Sequence, residues 1–301
     1  IDVVFSLVSP LHIGYLPFIK GGVISPTRYY VPGRNFWGAI TKRATENLYK
    51  NPSGNKYKEI GKQIKDNFRF SYFYLYDNKT IFIPEYNEKE GLFYGDKKHI
   101  DKTEFECRFI GSRVLTAIDS SSGTAKEKAL HEIEFIKNKF VDENGEIKNT
   151  KLIGCIWIKK DCKVEDYTIN INNGISLNDF NLIEELTLGG EQGYGFGVVK
   201  LQCVFRDKKF PIEDNKINDE VEIVIEKNKP ILSHLQYEKD VEFKGEIEPM
   251  TGRGYFDIEK PEEERANEYK VNAGKVLSDI KYYFTPGSVV ENKNFILNWD
   301  G

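Results

Sequence analysis

Five glycines, Gly189, Gly190, Gly193, Gly195 and Gly197, fall within nine positions of the stretch LTLGGEQGYGFGVVKL, residues 186–201. Glycine is kept where φ must be positive or where another backbone comes close, and each one costs entropy on folding. One or two would cap and turn a chain. Five leave a run of backbone N–H groups without covering side chains, and such groups bond phosphate oxygens. Gln192 and Tyr194 stand among them and belong to the same candidate site. The stretch is not a Walker loop, because no Gly-Lys-Ser/Thr is present. Cations accompany it elsewhere in the chain. Arg34, Lys42 and Arg43 follow Gly33 at a helix start, and Arg113, Lys126 and Lys128 surround a polar connection. Each alone is an ordinary surface charge. Drawn to the glycine stretch by the fold, the set would line a groove along phosphates. His12 is the candidate general base for metal-free phosphodiester cleavage, and the competing reading is a structural histidine at a strand end. The segment from Pro10 to Pro32 holds no Asp or Glu, so it offers Mg²⁺ no carboxylate. Cys107, Cys155, Cys162 and Cys203 show no zinc spacing. No metal and no cofactor is expected. Nor is a catalytic residue, with His12 as the alternative.

The elements that must position these groups follow from periodicity. DVVFSLVS, residues 2–9, predicts a buried strand, which Pro10 and Gly14 end. GRNFWGAITKRATENLYK predicts a helix with Phe36, Ile40, Ala44 and Leu48 on one face. Lys56–Asn67 predicts a second, basic helix. FRFSYFYLYDNKTIFIPEY predicts a hairpin turning at DNK. Gly91–Asp101 reads as loop, Phe105–Ile118 as strand, and DSSSGTAKEKA as a flexible polar connection. LHEIEFI reads as a half-buried strand with His131 on its solvated face, and Lys151–Lys160 as a further strand. SLNDFNLIEELTL predicts a helix N-capped by Ser176, with Leu177, Phe180, Ile183 and Leu186 as its stripe. The glycine stretch then leads into the strand VVKLQCVF. Tyr29, Tyr30, Phe36 and Trp37 are the aromatics that could stack on unpaired bases; Phe36 fits the core stripe better, and Trp37 stays open between the two roles. His99, His131 and His234 have no recognisable partners.

Reduced to its core, the order is strand, helix, several strands, helix, strand. That is an α+β, ferredoxin-like (RRM-like) βαββαβ unit with insertions and a C-terminal glycine-rich loop. Helices on one face leave the other free, a layout that RNA-recognition modules use. The expected division is a core over residues 1–206 and an appended, acidic, β-rich extension over 207–301. Charge is split along the same line. Residues 1–84 hold twelve Lys+Arg against five Asp+Glu, a net +7, while residues 207–301 hold fourteen against twenty-one, a net −7. The first part suits a polyanion. The last part, with Glu262, Glu263 and Glu264 in an exposed run, faces solvent or a basic partner. The longest apolar runs are too short to span a bilayer, no signal peptide is visible, and the cysteines read as reduced thiols of a cytoplasmic protein.

Four segments together carry a family likeness. LGGEQGYGFG resembles the C-terminal glycine-rich loop of the RAMP superfamily of CRISPR-associated proteins, and SPLHIG after the first strand is similar to that family's opening. YYVPGRNFWGAITKRA resembles its helix start, with Gly33, Gly38, Ala39 and Arg43 matching. RVLTAIDSSSGTAKEKALHEIEFI resembles its T-A-I-D … G-T-A-K-E segment, with Arg113, Thr116, Ala117, Ile118, Asp119, Gly123, Thr124, Ala125, Lys126, Glu127, Ala129 and Leu130 in place. The segments occur in the family order and span about two thirds of the chain; residues after Asp207 are not covered.

The resemblance implies a part in antiviral interference, as a subunit of a type III CRISPR effector complex. Its partners would be the CRISPR guide RNA and other subunits, including the large polymerase-like subunit, with no membrane. Three family roles compete: capping the 5′ handle of the guide, repeating along the guide as a backbone subunit, and cutting the precursor as an endoribonuclease. Target cleavage by the family's backbone subunit resembles metal-assisted chemistry with an Asp in the loop after the first strand. The absence of that Asp here points to a non-catalytic subunit and leans toward capping. The alternative is a metal-independent endoribonuclease using His12.

Overall fold

Every side chain of the first strand, Asp2–Leu7, is buried. A strand covered on both faces lies inside a sheet with a layer on each side. The computed structural model describes residues 1–15, 23–89, 91–126, 129–212, 214–217, 220–250, 253–254, 276–277, 280–291 and 295–298, and it has that arrangement. The central antiparallel sheet runs Glu185–Thr187, Val198–Phe205, Asp2–Leu7, Lys151–Ile158, Phe73–Tyr76 and Tyr30–Val31, with Phe68–Phe70 also paired to Lys151–Ile158. Each long crossover therefore skips one place, which an antiparallel strand fills. The chain is mixed α+β, with few helices and many strands.

Helices α1 (Gly33–Leu48) and α2 (Gly54–Asn67) cover one face. α1 buries Phe36, Ile40 and Ala44 in the cluster that holds Val3, Phe5 and Leu7, the stripe expected from spacing. Phe36 stacks on Phe73 with 3.7 Å between ring centroids. Burying one such ring contributes about 2–3 kcal/mol. Gly33 lets the helix start lie directly on the strand Phe68–Phe70, since a Cβ there would sit 2.5 Å from the Phe70 carbonyl oxygen. The Trp37 indole N–H donates to the Gly61 carbonyl at 2.8 Å and joins the two helices.

The opposite face is not free. Val4, Tyr74, Ile153, Cys155 and Trp157 pack there with Phe210, Ile212 and Ile223. The described part of the region after residue 206 thus closes the surface that an RNA-recognition layout would leave open. Its sequence carries the apolar residues needed, and the buried Asp2 carboxylate receives it by accepting the N–H of Phe210 at 2.7 Å. Glu262, Glu263 and Glu264 lie outside the described residues.

Several segments differ from expectation. No helix forms over 176–188. The chain makes the strands Ile175–Leu177, Phe180–Asn181 and Glu185–Thr187 instead. Asn178 and Asp179 take left-handed φ values of 48° and 65°, which these two residue types tolerate, and they turn Leu177 onto Phe180 as a hairpin. Ser176 pairs with Asn181 in the ladder rather than capping a helix. The second core helix is therefore absent among the described residues. Conversely, part of the expected strand Phe105–Ile118 is helix α3 (Lys102–Phe109). Its cap is the Asp101 carboxylate, which accepts the Glu104 N–H at 2.8 Å, and it buries Phe105 and Phe109 one turn apart. The strand starts only at Ile110. The expected loop Gly91–Asp101 contains the strands Gly91–Tyr94 and Ile100–Asp101, paired with Pro84–Asn87 in a separate sheet. The turn at DNK forms as expected, with the Asp77 carboxylate accepting the N–H groups of Lys79 at 2.9 Å and Thr80 at 2.8 Å. No helix among the described residues is long and apolar enough to cross a membrane.

Candidate nucleic-acid interface

The glycine stretch connects Glu185–Thr187 to Val198–Phe205, an antiparallel pair at the sheet edge. Its two ends are locked. Leu188 N–H donates to the Gly197 carbonyl at 2.9 Å, Gly197 N–H to Pro10 at 2.7 Å, and Gly190 N–H to His12 at 2.9 Å. Gly189 and Gly197 have φ of +74° and +91°, and a Cβ would stand 2.2 Å from the His12 carbonyl oxygen and 2.0 Å from that of Leu188. No side chain fits at either position, so these two glycines close the loop onto Pro10–His12. The tip differs. A Cβ at Gly193 or Gly195 would meet nothing within 4 Å. Gly193 lies in the 3₁₀ turn Gln192–Tyr194 and Gly195 ends it. The Gln192 amide reaches back to the Gly189 carbonyl at 3.0 Å, and Tyr194 is 58% exposed.

Beneath the loop lies His12, 4% exposed. Its Nδ1 stands 2.7 Å from the Glu134 carbonyl oxygen and therefore carries the proton and donates, while Nε2 faces the Ser25 hydroxyl at 3.5 Å. The Nδ1 bond leaves Nε2 as the acceptor, and it is the burial of the ring that keeps it from a bound hydroxyl. Phe196 brings a cation to the loop. Its ring is buried 5.4 Å from that of Phe135, and the Arg113 guanidinium lies 5.8 Å from its centroid. Arg113 is exposed and sits opposite Ile133 in the strand pair Ile110–Leu115 and His131–Ile136. The sequence alone did not single out Phe196, although an aromatic between two glycines of such a loop is a signal for an anchor.

The remaining candidates divide. Arg43 is a structural tie, its Nη2 donating to the Asn181 carbonyl at 3.0 Å and its guanidinium 4.7 Å from the Phe180 ring centroid. Arg34 and Lys42 are exposed on α1. Lys126 is exposed at the base of a hairpin whose tip is hydrogen-bonded around Asp119. There the Asp119 carboxylate accepts from the Ser121 hydroxyl at 2.5 Å and from the Ser122 N–H at 3.0 Å, bonds that hold its pKa at about 2. Lys128 lies outside the described residues. The four aromatics considered for stacking are engaged inside the molecule: Phe36 in the core, Trp37 between helices, Tyr29 donating to Glu106 at 2.5 Å, and Tyr30 in a buried cluster.

That cluster was not visible in the sequence. His234, expected to be partnerless, accepts from the Tyr72 hydroxyl at Nδ1 (2.7 Å) and contacts Glu248 through Nε2 (2.5 Å). Glu248 also receives Arg28 at 2.7 Å, and Arg28 donates to the Tyr30 hydroxyl at 2.9 Å. Burial opposes ionisation of Glu248, but the bonds from His234 and Arg28 outweigh it and hold its pKa at about 2. Burial pushes His234 below its usual range and Tyr72 up to about 12. The partners lie up to 220 positions apart, so no local motif marks them. His131 is half-buried, its Nδ1 3.0 Å from the Ala129 carbonyl. A cleft of about 720 Å³, with Tyr72, Ile83, Ile212, Ile223 and Leu232 among its walls, shares no residue with the glycine loop.

No family model matches this chain, and no curated relative matches it. Solved structures do. A chain in the cryo-EM structure of the type III-B Cmr-beta bound to cognate target RNA is 15% identical over 96% of this chain and 86% of its own, with a TM-score of 0.52. A chain of the same assembly bound to cognate target RNA and AMPPnP, state 1, gives the same identity and coverage with a TM-score of 0.53. The likeness is one of fold, and at that level the resemblance to type III effector subunits holds.

Proposed function

We propose that this chain is a non-catalytic RNA-binding subunit of a type III CRISPR effector complex. It holds the guide RNA and, in the finer reading, its 5′ handle. The observation that carries the proposal is the division within the glycine loop. Gly189 and Gly197 are consumed by folding and Gly195 by its left-handed φ of +82°, whereas Gly193 has no such need and faces open space beside the exposed Tyr194. Packing alone would not need glycine at Gly193. Close approach of a ligand backbone would. Arg113 adds a cation near this rim, and phosphate and 2′-hydroxyl contacts there would bind RNA with little base readout. The skipped-place order of the central sheet supports a ferredoxin-like core over 1–206 despite the missing second helix. In this reading, Phe210, Ile212 and Ile223 brace the back of the sheet, so RNA runs along loops rather than across a sheet face. Partner subunits, the large polymerase-like one among them, would bind elsewhere on the surface. The burial of His12 counts against the endoribonuclease alternative.

The test is Gly193→Trp. This position lies outside the left-handed region and has room for a side chain, so the fold should tolerate it. Guide-RNA affinity should fall on the order of tenfold or more, equivalent to about 1.4 kcal/mol, with the unfolding midpoint unchanged. Full RNA retention in the assembled complex would reject the proposal.

A further inference from the structure

The segment between the first strand and α1 is pinned at two points, and one pin belongs to the acidic C-terminal region. Glu248 lies on the strand Ile247–Met250. Its carboxylate is 2.7 Å from Arg28 and 2.5 Å from His234, and the three side chains are 18%, 11% and 3% exposed. From Arg28 a continuous path leads to the glycine loop. Arg28 N–H donates to the Ile13 carbonyl at 2.8 Å, and Ile13 N–H donates to the Thr27 hydroxyl at 3.0 Å. Thr27 N–H donates to the Glu134 carboxylate at 3.3 Å, and the Glu134 carbonyl accepts from His12, whose own carbonyl receives Gly190. A buried guanidinium is a rigid, directional group that is tolerated only beside its counter-charge. Arg28 is held by the Glu248 carboxylate and the Tyr30 hydroxyl, and its backbone holds Ile13.

We propose that Glu248 is a positioning residue for RNA binding: through Arg28 its carboxylate fixes the platform of Ile13 and Thr27 on which His12 and the glycine loop rest. This rests on the RNA-binding role proposed for that loop. It inverts the sign that charge counting gives. Removing a carboxylate from a protein that binds a polyanion should tighten binding, whereas removing this one should weaken it. Arg28 is too buried to touch a phosphate, so the salt dependence of binding should not change.

The experiment compares the full chain with Glu248→Gln, Glu248→Asp and, as a control, Glu246→Gln, whose side chain is exposed on the same edge. The probe is a fluorescein-labelled single-stranded RNA titrated at several salt concentrations. Glu248→Gln should raise Kd about tenfold, the scale of one lost charged hydrogen bond passed on in full, with an unchanged salt slope. Glu248→Asp keeps the charge paired and the fold intact, and should fall between it and wild type. Glu246→Gln should bind as well as wild type or better. Tighter binding by Glu248→Gln, or wild-type binding by Glu248→Asp with a changed slope in Glu248→Gln, overturns the proposal. Amide exchange without RNA separates the two claims. The N–H groups of Ile13, Arg28 and Gly190 should exchange faster in both Glu248 variants while the sheet amides do not. If wild type fails to bind RNA yet these amides loosen, the function fails and the positioning stands. If they do not loosen, the positioning fails whatever the RNA does.

Discussion

The segment after the first strand is held at one end by the glycine loop and at the other by Arg28, and the two fixings differ in kind. At the glycine loop the bonds run between backbone groups, Gly197 to Pro10 and Gly190 to His12. At Arg28 they run between ionised or titratable side chains drawn from both halves of the chain. The first kind is indifferent to pH and intolerant of any Cβ. The second depends on charge as well as on geometry. The glycine loop closed onto this segment leaves the Cβ positions of Gly193 and Gly195 open.

The sharpest contrast between the two fixings is expected at Gly197. Gly197→Val puts a β-branched side chain at a φ of +91° and 2.0 Å from a carbonyl oxygen. Combined strain and clash should cost about 4 kcal/mol or more, read as a shifted urea midpoint, against less than about 0.5 kcal/mol for Gly193→Ala. Equal midpoints would mean the loop ends are not locked.

Next in size is acid sensitivity at the charged fixing. The Glu248 pKa is about 2 in the folded chain against 4.5 ordinarily, so its contribution is complete above pH 4.5 and is lost as pH falls toward 2, up to about 3 kcal/mol. His234, lowered from 6.5 by burial, acts in the same direction, its contribution fading as pH drops below 6.5. Urea unfolding between pH 3 and 7 should show this decline, and Glu248→Gln should flatten the part below pH 4.5.

His12→Ala should cost about 1–3 kcal/mol by leaving the Glu134 carbonyl without its donor, with His12→Asn recovering part of it. RNA cutting by the complex should be unaltered; a specific loss of cleavage with assembly intact would move the assignment to the endoribonuclease. The smallest effect concerns α1. Neutralising Arg34 and Lys42 should reduce the salt slope of RNA binding by about 0.7 for each phosphate that is no longer neutralised. Neutralising Arg43, which holds Asn181, should reduce stability and leave the slope alone.

Much of this molecule was legible in its sequence. The α1 stripe, the buried first strand and the glycine loop follow from spacing and composition. The loop's inner division was not, because it depends on where the carbonyls of His12 and Leu188 arrive. The segment 176–188 misled for a physical reason: Leu177, Ile183 and Leu186 reach the core from a helix or from a hairpin alike. The Asn178–Asp179 pair was the signal that decided it. Phe105 and Phe109 were a helical pair hidden beside a β-rich run. The acidic charge of the last region masked Phe210, Ile212 and Ile223, whose burial against the sheet decides where that region goes.

Whether RNA meets the tip of the glycine loop is decided by photo-crosslinking. Guide RNA carrying 4-thiouridine would be assembled with the wild-type complex, irradiated, and its attachment sites mapped on this chain by mass spectrometry. Crosslinks are expected in the peptide spanning Gly189–Gly197, at Tyr194 above all, with further sites around Arg113. Crosslinks confined to the back of the sheet around Phe210 and Ile223, with none in the glycine loop, would overturn the assignment of RNA to this tip.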